Sequence, residues 1–233
     1  MLKSRTLLWV MFSFLGFLTP TKTSAQDWPN LEKYKKANAN LSAPERGEHR
    51  VVFMGNSITE MWQDAHPEFF SENPYVNRGI GGQTTPQMLL RFRQDVIDLK
   101  PTIVVILAGT NDIAGNTGPM TLEEIRNNIQ SMVQLAKANQ IFPIVCSVLP
   151  AFDYPWRPGL EPNIKIPKLN AMLKEMAKEE KALYLDYFSK MADNRNGLPA
   201  PLTTDEVHVT KAGYDIMESL VKEAIDKLNI SQH

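Results

Sequence analysis

Residues 51–59 read VVFMGNSIT, an apolar run that passes directly into a polar turn. The four apolar residues at 51–54 include no charge and are followed by glycine and asparagine, which mark a chain reversal. A short continuous apolar run of this kind is typical of a strand buried on both faces. The pattern predicts a buried strand that ends in a sharp turn, with Ser57 on that turn.

Four further apolar segments predict the rest of a sheet; they lie at residues 75–77, 103–107, 144–148 and 183–186. Several of them are continuous β-branched runs, which favour strands that are covered on both sides, as in a parallel sheet. Helical patterns separate these segments. Alternating strands and helices predict an α/β fold, a parallel sheet with helices on both faces.

Four amphipathic patterns predict the principal helices. Thr85-Pro86 opens the first, with proline in a first-turn position, and the capping box TLEE at residues 121–124 opens the second. Apolar residues at helical spacing mark the other two, at residues 166–177 and 216–228. Basic residues at 33–36 indicate the solvated face of a further helix.

The composition excludes several classes of function. A chain of 233 residues with a 43% hydrophobic fraction fits one globular domain with a sizeable core. A formal net charge of −1 and the lack of a basic stripe argue against a nucleic-acid partner. Cys146 is the only cysteine, so no intrachain disulfide can form, and its apolar neighbours predict a buried core residue.

Residues 1–25 have the layout of a secretory signal peptide. Basic residues precede an apolar run at residues 7–18, and the small residues TSA end the segment at Ala25. The alternative is a membrane anchor, but the run is short for a hydrocarbon core of roughly 30 Å. We expect cleavage after Ala25, an extracytoplasmic location (periplasmic or secreted) and no stable membrane insertion of the mature chain.

Polar segments follow each of the first three predicted strands. They are GNS at residues 55–57, GIGGQT at residues 79–84 and GTND at residues 109–112. Parallel strands end at one edge of the sheet, and the sites of such sheets lie outside that edge. The three segments are therefore expected to meet there.

Ser57 needs a base if its hydroxyl is to attack an ester carbonyl, and the base needs a carboxylate to orient it. Among the four histidines, His208 has Asp205 three residues earlier, in a polar loop before the last predicted helix. The spacing predicts that Asp205 holds Nδ1 while Nε2 faces Ser57. A D-x-x-H pair arises by chance in roughly one such chain in five. The alternative role of His208 is to cap the helix.

Three groups are candidates to stabilise an oxyanion: the backbone N–H of Ser57, the backbone at Gly82 and the side-chain amide of Asn111. The alternatives are structural, a tight turn for the glycines and an Asx turn for Asn111. A phosphate loop is disfavoured because GIGG lacks the full dinucleotide spacing. No histidine cluster, His-Glu-x-x-His motif or cysteine pair indicates a metal, so no cofactor is expected.

The chain resembles the SGNH hydrolases, also called GDSL-type esterases and lipases. The resemblance lies in four sequence blocks, which occur in the family's order between residues 51 and 214. Block GNSI places Ser57 as the nucleophile, and block NRGIGG places Gly82 as the oxyanion glycine. Block GTND places Asn111 as the oxyanion asparagine. The last block places Asp205 and His208 as the remaining triad members. The short-acyl acetylhydrolase and acetylesterase branch is the most similar.

The resemblance implies a three-layer α/β/α, flavodoxin-like sandwich around a mainly five-stranded parallel sheet, formed by residues 26–233 as a single catalytic domain. It also implies ester hydrolysis through an acyl-serine intermediate. The chain departs from the family at Asn56, where the first block usually has Asp. Asparagine keeps the hydrogen-bonding shape, so we expect activity to survive. The choice of Gly82 over Gly81 depends on the alignment of Asn77.

The substrate stays open, because the family acts on lipids, thioesters, acetylated sugars and other esters. Two features favour O-acetyl groups on carbohydrate: the expected export, and the loop FDYPWRPG at residues 152–159. Its aromatic rings could stack on sugars, and Arg157 could meet hydroxyls or a carboxylate. The alternatives are a loop that is merely stiffened, a lysophospholipase or thioesterase, and a catalytically silent carbohydrate-binding protein. The oligomeric state is not indicated.

Overall fold

The computed structural model describes residues 26–228, so the predicted signal peptide at residues 1–25 lies outside the described residues. The strands are β1 Val51–Gly55, β2 Tyr75–Gly79, β3 Ile103–Leu107, β4 Phe142–Cys146 and β5 Leu183–Leu185. The α-helices are α1 Glu32–Asn40, α2 Ser57–Ala65, α3 Pro67–Ser71, α4 Thr85–Asp95, α5 Thr110–Ile113, α6 Leu122–Ala138, α7 Pro162–Glu179, α8 Phe188–Met191 and α9 Lys211–Lys227.

The five strands form one parallel sheet in the order β2-β1-β3-β4-β5. This is the flavodoxin-like order, in which the sheet reverses its direction of growth between β2 and β3. The predicted α/β fold with a five-stranded parallel sheet between helical layers is confirmed. The carboxyl ends of the strands lie together at one edge.

Two hydrophobic cores lie on opposite faces of the sheet. In β1, Val52 and Met54 face the core that includes helices α4, α6 and α7, whereas Val51 and Phe53 face the core that includes α2, α3 and α9. Because both faces are covered, successive residues must all be apolar, which explains the continuous run in the sequence. Cys146 is buried in the second core, as predicted, and burial raises the pKa of its thiol.

The fourth strand begins earlier than its apolar pattern predicts. β4 starts at Phe142, not at residue 144, and ends at Cys146. Pro143 pairs with Val104 in the ladder, near the start of the strand, where the missing N–H of proline is tolerated. Val148 has left the sheet, and its N–H donates to the Asn170 side chain at 2.8 Å.

The helix signals that depend on capping are confirmed. The Thr121 hydroxyl accepts the Glu124 N–H at 3.2 Å, and the Glu124 carboxylate accepts the Thr121 N–H at 2.7 Å. Helix α1 contains no buried residue, in agreement with the solvated face predicted at residues 33–36. Within residues 26–228, no helix has the length and apolar character needed to cross a membrane.

Candidate active site

Ser57 is the first residue of α2, immediately after β1. Asn56 caps this helix, because its side-chain oxygen accepts the Ile58 N–H at 3.0 Å. Asparagine and aspartate cap helices about equally well. The departure from the family's usual Asp therefore leaves intact the local structure that presents the Ser57 hydroxyl.

Ser57, His208 and Asp205 form one hydrogen-bonded series. The Ser57 Oγ lies 2.9 Å from His208 Nε2, and His208 Nδ1 lies 2.6 Å from Asp205 Oδ2. These are the contacts predicted from the D-x-x-H spacing. The arrangement provides an alcohol next to a base, and a carboxylate that orients the base.

The Asp205 carboxylate also shapes the loop that holds His208. Its Oδ1 accepts the backbone N–H of Val207 at 3.0 Å and that of His208 at 2.7 Å. Partial burial alone would raise the pKa of Asp205, but the hydrogen bonds from His208 and Val207 outweigh it and lower the pKa. An ionised carboxylate favours a proton on Nδ1, which leaves Nε2 free to accept the serine proton.

The Asn111 side chain reaches the same edge from α5, directly after β3. Asn111 is buried, and its Nδ2 donates to the Gln83 backbone carbonyl at 3.0 Å. An amide nitrogen carries two hydrogens, so this bond fixes the side chain and leaves a second donor. The carbonyl of Gln83 thus determines where Asn111 points.

Gly81 and Gly82 differ in what their backbone N–H groups can do. The Gly81 N–H donates to Glu60 Oε2 at 2.6 Å. The Gly82 N–H has no hydrogen-bond partner among residues 26–228, and neither has that of Ser57. Gly82 has a φ of +75°, a conformation that favours glycine. Gly82, not Gly81, therefore presents the available donor, in agreement with the alignment on Asn77.

Gln83, which follows Gly82, connects the segment at residues 79–84 to three other parts of the chain. Its carbonyl holds Asn111, its Oε1 accepts Arg91 Nε at 2.6 Å, and its Nε2 donates to the Pro29 carbonyl at 2.7 Å. Arg91 is fully buried and pairs with Asp95 at 3.0 Å. Sequence reasoning missed this role, because the position of Gln83 after a glycine run gives no sign of its partners.

The loop at residues 152–159 lies beside the triad, as its place after β4 predicts. The ring of Trp156 is half-exposed and lies 6.4 Å from the ring of His208, centroid to centroid. Buried Tyr154 stacks on Trp156 at 5.3 Å and supports it. Arg157, which was expected to meet the ligand, donates its Nη1 to the carbonyls of Ala114 and Gly115 at 2.6 and 2.7 Å and anchors the loop.

Asp112, next to Asn111, is a buried carboxyl group with one unpaired oxygen. Its Oδ1 accepts the Thr85 N–H at 2.8 Å and the Thr85 hydroxyl at 2.6 Å, but its Oδ2 has no partner among the described residues. Burial raises the pKa of Asp112 to about 6. Within residues 26–228, no three His, Cys, Asp or Glu side chains cluster in a way that could hold a metal.

Known proteins share this fold and these segments. Residues 53–216 match the GDSL-like Lipase/Acylhydrolase family. A crystal structure of a proposed acylhydrolase from Bacteroides fragilis is 50% identical, with a TM-score of 0.85 over 88% of this chain and 99% of its own. Human platelet-activating factor acetylhydrolase IB subunit alpha2 is 30% identical over 170 residues, which cover 70% of each chain.

A more distant relative is an acetylxylan esterase from Geobacillus stearothermophilus. It is 28% identical over 156 residues, which cover 61% of this chain and 67% of its own. The family match begins within β1, at residue 53, and includes β2 to β5 and the segments that hold Ser57, Asn111 and His208. The chain therefore belongs to the GDSL-like lipase/acylhydrolase family and is an ester hydrolase.

Proposed function

We propose that this chain is an exported serine esterase that removes short acyl groups, above all O-acetyl groups, from carbohydrate through an acyl-serine intermediate. The observation that carries the proposal is the hydrogen-bonded series from Asp205 through His208 to Ser57, with distances of 2.6 and 2.9 Å. Export rests on the sequence of residues 1–25 alone.

The reaction needs two transfers of the acyl group. In the first, Ser57 Oγ attacks the ester carbonyl while His208 Nε2 takes the hydroxyl proton. His208 then passes this proton to the departing alcohol oxygen, and the acyl group remains on Ser57. In the second, water attacks the acyl-serine and loses a proton to His208, which passes that proton to Ser57 Oγ as the bond between this oxygen and the acyl carbon breaks and the acid leaves. Asp205 stabilises the imidazolium that forms in each half.

The oxyanion of each tetrahedral intermediate would be bound by three donors, the N–H groups of Ser57 and Gly82 and the free hydrogen on Asn111 Nδ2. Two of these donors belong to the backbone, and the third is held by the Gln83 carbonyl at 3.0 Å. Donors that are fixed before the reaction need no rearrangement when charge develops, which is why they lower the barrier.

The environment of His208 supports a carbohydrate as the alcohol part of the ester. Trp156 presents a half-exposed ring beside His208, the residue that must protonate the departing alcohol. Aromatic rings offer an apolar face on which a sugar ring can pack, and support by Tyr154 keeps this face in place. Two relatives are named for acetyl groups, an acetylhydrolase and an acetylxylan esterase, which supports a short acyl chain.

The test is release of acetate from a panel of acetylated glycans, together with a p-nitrophenyl ester series of increasing chain length. We expect the wild type to release acetate and to favour the shortest esters. Ser57→Ala is expected to lower turnover by at least about 10³-fold while the circular dichroism spectrum is kept. Ser131→Ala, which removes a hydroxyl from the exposed surface of α6, serves as the matched control.

Different results would reject different parts of the proposal. Unchanged turnover by Ser57→Ala would reject the nucleophile. Preference for long acyl chains would favour a lysophospholipase or a thioesterase. Glycan binding without any release of acetate by the wild type would favour a silent carbohydrate-binding protein.

A further inference from the structure

The segment before β1 contributes to the edge of the sheet where Ser57 lies, although it precedes the family match at residues 53–216. A cavity of about 430 Å³ adjoins Gly82 and is open to solvent. One side consists of residues from this segment, among them Asp27 and Trp28, and Asn116 is among the residues of the other side. The volume lies within the range of small-molecule sites, roughly 300–1,000 Å³.

Trp28 is half-exposed at this cavity, yet its backbone is fixed from the protein side. The Trp28 carbonyl accepts Gln87 Nε2 at 2.7 Å, and the neighbouring Pro29 carbonyl accepts Gln83 Nε2 at 2.7 Å. The Asp27 carboxylate accepts the backbone N–H groups of Leu31 and Glu32 at 2.8 and 3.0 Å, which closes the turn into α1. A segment whose backbone is held in advance loses less freedom when it binds a ligand.

The cavity lies close to Ser57, although the residues that line it include no member of the triad. A methyl group placed on Gly81 would lie 3.9 Å from the Ser57 Cβ, and Gly81 and Gly82 both line the cavity. Two half-exposed tryptophans therefore lie near the triad, one on the side of His208 and one on the side of the glycine pair. Trp156 adjoins His208, and Trp28 adjoins the glycine pair next to Ser57.

The charges and polar groups around Trp28 favour a neutral, hydroxyl-rich ligand. Hydrogen bonds from the backbone N–H groups of Glu32 and Leu31 lower the pKa of Asp27, so its carboxylate is ionised and can accept hydroxyl protons. The same negative charge would repel a phosphate or a uronate, whereas the Glu60 carboxylate beyond Gly81 is paired with Lys33 at 2.7 Å. Asn116 donates its Nδ2 to the Gly82 carbonyl at 3.0 Å, which leaves its side-chain oxygen as an acceptor.

We propose that Trp28 is a specificity-determining residue, which stacks on a neutral sugar ring of the esterified carbohydrate in the cavity beside Gly82. Asp27 and Asn116 accept hydroxyl protons of the same ring. The inference rests on the proposed function, because it identifies the part of the substrate that lies beyond the reacting ester. The segment around Trp28 would then give the enzyme its preference for an oligosaccharide over a small ester.

The test compares acetylated xylo-oligosaccharide with p-nitrophenyl acetate, which has no sugar ring to occupy the cavity beside Trp28. In Trp28→Ala, we expect kcat/KM for the oligosaccharide to fall about tenfold more than kcat/KM for p-nitrophenyl acetate, mainly through KM. Trp28→Phe should recover most of the loss. Phe142→Ala, which removes a half-exposed ring at the opposite edge of the sheet, should leave the ratio of the two values unchanged.

A binding measurement separates failure of the subsite from failure of the proposed function. Calorimetric titration of Ser57→Ala with the oligosaccharide should give a Kd that rises about tenfold when Trp28→Ala is added. An unchanged Kd, or equal losses on the two substrates, would overturn the subsite. A weakened Kd supports the subsite even if the wild type releases no acetate, and in that case only the proposed hydrolysis fails.

Discussion

The spacing of Asp205 and His208 has a geometric reason at the level of single atoms. One carboxylate oxygen accepts two backbone N–H groups, at 3.0 and 2.7 Å, and the other accepts the imidazole at 2.6 Å. Glu206 has a φ of +69°, which turns the chain back towards Asp205. The three-residue separation of Asp205 and His208 therefore allows the Asp205 side chain both to close the turn and to orient the His208 ring.

Asn111→Ala tests whether the side chain of Asn111 donates to the oxyanion, as proposed. We expect kcat on p-nitrophenyl acetate to fall about 10²–10³-fold with little change in KM, because the lost hydrogen bond forms only as charge develops. Steady-state kinetics measure both values, and Asn127→Ala on the exposed surface of α6 is the control. A rise in KM at unchanged kcat would instead assign Asn111 to substrate binding.

Asp112 predicts a pH dependence of stability with a definite sign. Its pKa is raised by burial from 3.8 to about 6, so between these pH values the folded chain holds a proton that the unfolded chain has lost. Rising pH therefore destabilises the fold through this group, and the effect is complete above about pH 6. The shift corresponds to about 2–3 kcal/mol.

Asp112→Asn should remove this contribution. Urea unfolding at several pH values between 4 and 7.5 gives the free energy of unfolding, and the variant should lose less stability across that interval than the wild type. Asp98→Asn, at an exposed carboxyl group, is the control and should behave like the wild type. A pH dependence that Asp112→Asn leaves unaltered would contradict the assigned shift.

At the level of elements, the strands were easier to predict than the short helices. Both faces of the sheet are covered, so β3 is a continuous apolar run and β1 is nearly one, whereas β2, at the edge of the sheet, includes Asn77 and Arg78. The apolar pattern predicted β4 at residues 144–148, two residues too late. Pro143 interrupts the pattern, although the sheet tolerates a proline at this position near the start of the strand. Helix α5 has only four residues, and α1 buries none, so neither carries an apolar stripe.

The cap of α2 gives a prediction at this scale. Asn56→Ala removes the acceptor for the Ile58 N–H and should lower the free energy of unfolding by about 1 kcal/mol. It should also lower kcat, because Ser57 is the first residue of the helix that loses its cap. Asn56→Asp preserves the acceptor and should retain activity. Urea unfolding and initial rates measure the two effects, and loss of activity in Asn56→Asp would contradict this interpretation.

At the level of the whole molecule, the topology unites residues that are far apart in sequence. Ser57 and His208 are 151 positions apart, and Gln83 bonds to Pro29 across 54 positions. The first pair was predictable because each residue lies in a recognisable block and parallel strands end at one edge. The bonds made by Gln83 and the place of Trp28 were not, because ordinary polar and aromatic residues acquire such roles only through their neighbours in the fold.

Covalent labelling with a fluorophosphonate, followed by peptide mass spectrometry, asks directly whether the Ser57 hydroxyl is an activated nucleophile. We expect a single adduct, on the peptide that contains Ser57, and greatly slowed labelling in His208→Ala because the proton acceptor is lost. An adduct on a different residue, or no adduct on the folded wild-type chain, would contradict the assignment of Ser57 and the mechanism built on it.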